Sequence, residues 1–112
     1  MTKENTILIC EAGNNRLQEF SLTGDFIRSI TPPVGQQGFK KPNDVTVDRH
    51  GNILVADTGN HRVVILHTDG QMTSFGTEGR SPGQFKSVCG IAVTHEGNVV
   101  VSDNYSYTIQ IF

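Results

Sequence analysis

The fold is decided by residues 52–66, which read NILVADTGNHRVVIL. Residues 53–56 and 63–66 are short apolar runs, mostly β-branched and without polar alternation, as is typical of strands covered on both faces. The polar segment DTGN at 57–60 lies between them, and its residues tolerate positive φ or hydrogen-bond their own backbone. The sequence therefore predicts a β-hairpin that is buried on both sides and reverses at 57–60.

The same pattern recurs without a gap at a period of 46 residues, which separates Glu11 from Asp57 and Asp57 from Asp103. Residues 7–17 align with 53–63, and Phe85 falls on the repeat position of Phe39. A fixed period in the forties that is filled with short strands is typical of β-propeller blades. The pattern therefore predicts an all-β chain, folded as a partial β-propeller of four-stranded antiparallel blades.

Residues 51–63, GNILVADTGNHRV, resemble the core of an NHL repeat, a family named for an Asn-His-Leu signature that reads Asn-His-Arg at 60–62 here. The upstream copy reads Asn-Asn-Arg at 14–16, a common variant. The Gly-rich stretch 75–85, FGTEGRSPGQF, is similar to the connection between blades in that family. The resemblance covers residues 5–112, and the last copy departs from it at 104–108, where NYSYT replaces TGNHR.

The period divides the chain into three units. They are a partial first blade with its connection (1–38), a complete second blade with its connection (39–84) and a partial third blade (85–112). The chain holds about 2.4 periods, whereas the resemblance implies a closed ring of about six blades. Because isolated blade faces would be exposed, we expect a fragment of a longer polypeptide or a piece that assembles with other copies. The remaining blades would come from the parent chain or from self-association.

The composition does not indicate an overall electrostatic field that would attract polyanions, because the formal net charge is −2 and only 18% of the residues are charged. The sequence has no apolar run long enough to span a membrane, and its first five residues are polar rather than a signal core. We therefore expect a cytoplasmic protein with neither DNA nor membrane as a partner.

Loops of a propeller alternate between its two ends. One end, named the hairpin end here, carries three turns and two blade connections: 11–16, 57–62, 103–108, 31–42 and 77–88. The opposite end carries four turns: 22–25, 48–52, 68–71 and 94–98. Six of the nine basic residues fall on the hairpin end: Arg16, Lys40, Lys41, Arg62, Arg80 and Lys86.

Two acid–base pairs are predicted to close their turns by charge-assisted hydrogen bonds, Glu11 with Arg16 and Asp57 with Arg62. In the last copy Asp103 remains, but Thr108 replaces the arginine, so that this pair cannot form.

The last copy also places two aromatic residues, Tyr105 and Tyr107, on the basic hairpin end. Aromatic rings beside Arg or Lys can stack unpaired bases or anchor a protein partner. We therefore predict that the six basic residues and both tyrosines form a face for a protein partner or single-stranded RNA. Two alternatives stay open, a merely solvated basic rim and a tyrosine packed on the neighbouring blade.

Enzyme signatures are weak. The histidines His50, His61, His67 and His95 have no metal-ligand spacing, and His61 is expected on the end opposite the other three. No nucleophile elbow and no phosphate loop occurs. We therefore expect no catalytic residue, no metal and no cofactor in this chain.

The resemblance implies a non-catalytic interaction module, most similar to the propeller of tripartite-motif NHL proteins, which recruits protein or RNA targets. Ubiquitin-ligase activity would belong to a RING domain, whose Cys/His pattern this chain lacks. One alternative is a piece of a propeller lyase or lactonase, with Asp57 and Asp103 in a carboxylate ring around a channel metal. The other alternative is a purely structural propeller.

Overall fold

A computed structural model describes residues 5–112, and their regular structure is β-strand apart from two short 3₁₀ turns, Ala12–Asn14 and Thr58–Asn60. The predicted all-β class is therefore confirmed. In this part of the chain no helix is long and apolar enough to cross a membrane.

The strands form three antiparallel sheets in which each strand pairs with the next along the chain. The first blade contains β1 (Ile7–Glu11), β2 (Arg16–Phe20) and β3 (Phe26–Ile30). The middle blade contains β4 (Asp44–Val47), β5 (Ile53–Asp57), β6 (Arg62–Leu66) and β7 (Met72–Phe75). The short strands β8 (Thr77–Glu78) and β9 (Gln84–Phe85) pair in parallel within the second connection. The last blade contains β10 (Val88–Val93), β11 (Val99–Asp103) and β12 (Thr108–Ile111).

Each of these sheets falls in one of the three predicted units, although the pairing of β8 with β9 spans the boundary between 84 and 85. The middle blade has the predicted four strands, and each flanking blade has three of them. This arrangement is a partial β-propeller.

The middle blade is covered on both faces, as the apolar runs of 53–56 and 63–66 predict. Val55 and Val64 are fully buried in one cluster with Leu17 and Ile30 of the first blade. Because successive side chains of a strand point to opposite faces, their neighbours face the other way. Leu54, Ala56 and Val63 pack with Phe85, Val88, Ile91 and Val101 of the second connection and the last blade. The central hairpin therefore supplies both blade interfaces.

The outer faces of the two flanking blades carry exposed apolar side chains. Ile9 on the first blade and Ile109 on the last blade are 46% and 71% exposed. The middle-blade residues 46 positions from them, Val55 and Val63, are fully buried. The two outer faces thus have the composition of blade interfaces.

The hairpin turns reverse in a way that the sequence did not predict. The sequence predicts a reversal at 57–60 by residues that tolerate positive φ or hydrogen-bond their own backbone. In the structure Thr58–Asn60 form a 3₁₀ turn, and the left-handed residue is His61, with φ 54°. Asn15 and Tyr107, at the same repeat position, also have φ 54°. The chain therefore reverses where predicted, and the 3₁₀ turn places the left-handed residue at the last position before the next strand.

Gly59 is required for space rather than for its φ. An added Cβ would lie 2.5 Å from the carbonyl oxygen of Lys40 and 2.6 Å from its Cγ. The Gly59 N–H donates to that carbonyl at 2.8 Å. The turn of the middle blade therefore packs backbone to backbone against the connection that precedes it. Gly13, at the same repeat position of the first blade, has open space around it.

We expect Gly59→Ala to lower the free energy of unfolding by about 1–3 kcal/mol, because Lys40 must move to admit the methyl group. The matched control is Gly13→Ala, which should be neutral or slightly stabilising because nothing lies within 4 Å of its Cβ. Chemical denaturation followed by circular dichroism measures both variants. Equal effects at the two glycines would contradict the close packing at Gly59.

Candidate interaction surface at the hairpin end

The hairpin end is organised around the carboxylate of Asp57, which is fully buried. Its Oδ1 accepts the backbone N–H of Lys40 at 2.8 Å. Its Oδ2 accepts Asn60 Nδ2 at 2.9 Å and Arg62 Nε at 2.8 Å. One side chain at the end of β5 therefore holds both its own turn and the connection from the first blade.

Arg62 completes this clamp from the start of β6. Its Nη2 donates to the carbonyl of Gln37 at 2.9 Å, so the guanidinium binds the connection that Asp57 also binds. The predicted pair with Asp57 forms, but Arg62 is only 7% exposed. We placed Arg62 on the ligand-binding face as well, and that placement was wrong, because a buried guanidinium with these partners has no free surface for a ligand.

The first blade repeats the pair in an exposed form. Arg16 Nη2 lies 3.2 Å from Glu11 Oε1, and both side chains are partly exposed. Hydrogen bonds from Asn14 and Arg16 lower the pKa of Glu11. The Arg16 charge is therefore compensated within its own turn.

The last blade keeps the acid and replaces the arginine by backbone donors. Asp103 is buried, and it accepts N–H groups of Lys86 at 2.6 Å, Ser87 at 3.1 Å, Tyr105 at 3.0 Å and Ser106 at 3.2 Å. Burial alone would raise the pKa of Asp103, but these hydrogen bonds outweigh burial and lower it. The second connection is therefore held like the first, since Lys86 follows Lys40 by 46 residues.

Two lysines of the first connection project from this framework. Lys40 and Lys41 are exposed, although their backbone N–H groups bond to Asp57 and Asn15. Among residues 5–112 neither ammonium group forms an ion pair. These two cations are available to a partner.

Lys86 is compensated, in contrast to Lys40. Its Nζ lies 2.7 Å from Glu78 Oε2, and His61 Nε2 lies 3.7 Å from Glu78 Oε1. Hydrogen bonding and charge from Lys86, with the nearby His61, lower the pKa of Glu78. Sequence reasoning did not find this pair, because Glu78 lies in the irregular second connection and not at a repeated position.

Arg80 and the two tyrosines form an aromatic and cationic patch at the last blade. The Arg80 guanidinium lies 4.9 Å from the centre of the Tyr105 ring, within range of a cation–π contact. Tyr105 is 54% exposed and Tyr107 is 93% exposed. The alternative of a tyrosine packed on the neighbouring blade stays open for Tyr107. Its repeat counterpart His61 lies with Nδ1 2.9 Å from the Lys86 carbonyl oxygen of the following connection, and residues 5–112 contain no connection after the last blade.

The eight predicted face residues thus separate into three groups. Arg62 is buried, and Arg16 and Lys86 are paired with acids. The remaining residues are exposed and define the hairpin-end surface: Lys40, Lys41, Arg80, Tyr105 and Tyr107.

Comparison with known proteins identifies the repeat. Residues 39–66, which contain β4, β5 and β6, match the family model described as the NHL repeat. The middle blade is similar to the NHL repeat over these 28 residues of the 112 in the chain. No curated protein sequence is significantly similar to the chain.

Solved structures share the fold of this chain at low sequence identity. A catalytically inactive virginiamycin B lyase from Staphylococcus aureus, crystallised with quinupristin, has a TM-score of 0.67 at 16% identity, over 99% of this chain and 38% of that chain. An auxiliary nutrient binding protein from Bacteroides thetaiotaomicron has a TM-score of 0.70 at 14% identity, over 96% of this chain and 34% of that chain. A protein of unknown function from Bacteroides caccae has a TM-score of 0.55 at 21% identity, over 89% and 35%.

These likenesses show the propeller architecture alone. The chain spans under two fifths of the length of each of the three structures. Within residues 5–112, no three His, Cys, Asp or Glu side chains are grouped so that they could hold a metal ion.

We expect Asp103→Asn to lower the free energy of unfolding by about 1–3 kcal/mol at pH 7, because an amide group cannot accept at both oxygen positions. The pKa of Asp103 is lower in the folded chain than its usual 3.8, so its contribution is complete above that value. The contribution is lost as pH falls through the folded pKa. The difference between the two proteins should therefore shrink towards the acid end of the range.

Urea denaturation at pH 7 and pH 3 measures this difference. Asp69→Asn is the control, because Asp69 is exposed in a turn at the opposite end, and its effect should stay within about 0.5 kcal/mol. A difference for Asp103→Asn that is as large at pH 3 as at pH 7 would exclude the charge-assisted network as its source.

Proposed function

We propose that this chain is a non-catalytic interaction module that binds a protein partner through the hairpin-end surface. The observation that carries the proposal is Tyr105, which is 54% exposed and has the Arg80 guanidinium 4.9 Å from its ring centre, with Tyr107 two residues further along the same turn. Tyr and Arg are enriched among residues that dominate protein interfaces, because they bury a large area and also form hydrogen bonds. Lys40 and Lys41 add unpaired charge on the same end of the propeller.

A protein partner is favoured over RNA by the charge balance of this end. Of the six basic side chains expected there, Arg16, Arg62 and Lys86 are each paired with an acid. Three cations remain unpaired, and the net charge of the chain is −2. Nucleic-acid affinity rests mainly on the number of phosphates neutralised, so three exposed cations support only weak binding. Aromatic anchors give protein binding that depends much less on salt.

The exposed outer faces suggest how the module is completed. Ile109 and Ile111 of the last blade occupy repeat positions that are covered by the next blade in the middle of the structure. We propose that further blades, from the parent chain or from another copy, cover these faces. The hairpin end would then be one part of a larger ring surface.

More specifically, we propose that this chain is part of a cytoplasmic tripartite-motif NHL protein. In that protein the propeller would recruit targets for ubiquitin transfer. The NHL-repeat match supports this proposal at the level of the repeat. Ligase activity would come from a RING domain, because the chain has two cysteines only. The proposal is tested by comparing ubiquitylation of captured proteins in cells with and without the parent protein.

The lyase-type alternative has less support from the geometry. Its channel carboxylates would be Asp57 and Asp103, but both are buried and accept hydrogen bonds from their own turns and connections. They therefore act as the turn-closing acids and present no free oxygen ligands to a channel.

We expect the double substitution of Tyr105 and Tyr107 to alanine to weaken partner binding more than tenfold, because aromatic anchors dominate interface energies. Lys40→Glu with Lys41→Glu should change the affinity only a few fold, as charges at an interface rim do. Leu22→Ala is the control, since Leu22 lies on the opposite end and is 59% exposed, close to the 54% of Tyr105. The parent protein and these variants are compared by quantitative capture from source-cell extract, with and without ribonuclease.

The outcomes separate the candidate functions. Proteins that survive ribonuclease and are lost only with the tyrosine variant support the proposal. Loss on ribonuclease treatment, with steep salt dependence and loss in the lysine variant, would replace the protein partner by RNA. Identical capture by all four proteins would contradict the hairpin-end surface and favour a purely structural propeller.

A further inference from the structure

A cleft of about 610 Å³ opens between the middle and last blades at the end opposite the hairpin turns. Its apolar floor includes Leu54, Ile65, Val93 and Val99. Three of these side chains are only partly buried. The volume lies in the range of small-molecule sites, which are commonly apolar clefts with a few polar groups.

The junction between the first and middle blades also forms a cleft, of about 650 Å³, but an ion pair occupies its wall. Arg28 Nε lies 2.7 Å from Glu19 Oε1, and the Glu19 side chain is buried. Burial alone would raise the pKa of Glu19, but hydrogen bonds from Thr6 and Arg28 lower it. The charged groups in the wall of this first cleft, Glu19 and Arg28, are therefore paired with each other within the chain.

The repeat places an apolar residue at the corresponding wall position of the second cleft. Ile65, which lines this cleft, follows Glu19 by 46 residues, whereas Ser74, at the repeat position of Arg28, does not line it. No ion pair of the described residues spans the second cleft. Both junctions have apolar lining residues, but only the first has an ion pair in its wall, so the apolar wall of the second is not interrupted by a buried charge.

The rim of the second cleft is rich in hydrogen-bond donors. Its charged and titratable groups come from the β4–β5 turn, the end of β6 and the β10–β11 turn: Asp48, Arg49, His50, His67, His95 and Glu96. Asp48 is already used, because its carboxylate accepts His50 N–H, Asn52 N–H and Asn52 Nδ2. Arg49 forms no ion pair within residues 5–112. His67 is also engaged, because its Nε2 lies 2.9 Å from Thr73 Oγ1, so the charged groups of the rim that remain for a ligand are Arg49 and Glu96.

We propose that the cleft between the middle and last blades binds a small molecule with an apolar body and a carboxylate head. The apolar body covers Leu54, Ile65 and Val99, and the carboxylate lies towards Arg49 on the middle blade. Glu96, on the last-blade side, disfavours the reverse orientation. This site is independent of the hairpin-end surface, because it lies on the other end of the propeller.

The proposal is tested with 2-naphthoate as the probe and 2-naphthamide as its neutral counterpart. Binding is followed by two-dimensional amide NMR on the folded protein. We expect saturable binding of 2-naphthoate, with shifts concentrated at residues 48–52 and 94–97, and about tenfold weaker binding of the amide. Shifts spread over the outer blade faces, or no saturation at millimolar probe, would overturn the proposal.

Two pairs of variants distinguish a specific binding site from an apolar surface that binds the probe non-specifically. Ile65→Glu introduces the residue that the first junction has, and it should abolish binding of both probes. The matched control Ile111→Glu makes the same change on the exposed outer face of the last blade and should leave binding unchanged. Equal losses in both variants would mean that the probe binds exposed faces and would overturn the proposal.

The rim variants keep the apolar floor intact and do not depend on how Ile65→Glu folds. Arg49→Gln should weaken 2-naphthoate about tenfold and leave the amide unchanged, because only the charge-assisted bond is lost. Glu96→Gln should strengthen 2-naphthoate about twofold, since a like charge is removed. Unchanged affinity for 2-naphthoate in both variants would show that no carboxylate head is recognised.

Discussion

The structure depends on two buried carboxylates, Asp57 in the middle blade and Asp103 in the last blade, each placed where the second strand of its blade meets the turn. In the middle blade the Asp57 oxygens accept a guanidinium, a side-chain amide and the N–H of Lys40 in the preceding connection. A buried charge is tolerated only when it is paired and hydrogen-bonded, and removing one partner of such a pair costs about 3–5 kcal/mol. The same interaction therefore fixes the turn, the path of the connection and the stacking of one blade on the next.

The last blade shows that the carboxylate, rather than the arginine, is the essential part of this arrangement. Asp103 has no arginine partner, since Thr108 stands at that position, yet it remains buried and accepts four backbone N–H groups. Two of those donors come from the connection and two from the turn. The turn is thereby free to carry Tyr105 and Tyr107 on its outer side. Because backbone N–H groups satisfy the Asp103 carboxylate, the side chains of this turn are available for binding.

Much of this fold could be predicted from the sequence, because a 46-residue period constrains many residues at once. The buried hairpin, the three blades and the Asp57–Arg62 pair follow from positions that repeat. Features outside the repeat could not be predicted. Glu78 pairs with Lys86 across an irregular connection, and the left-handed conformation falls on His61 because of a local 3₁₀ turn. The cleft of the second junction was also missed, although the separation of His50, His67 and His95 from His61 was a signal for it.

The most direct test of this account is amide hydrogen exchange at Lys40 and Lys86, measured by NMR on the folded protein. Both residues lie in connections, and ordinary exposed loop amides exchange rapidly. If the carboxylates of Asp57 and Asp103 hold the connections to the blades, both amides should be protected like that of Val64 in the central strand. If they exchange as fast as the amide of the fully exposed Val34, the blades are not joined through these carboxylates, and the account is wrong.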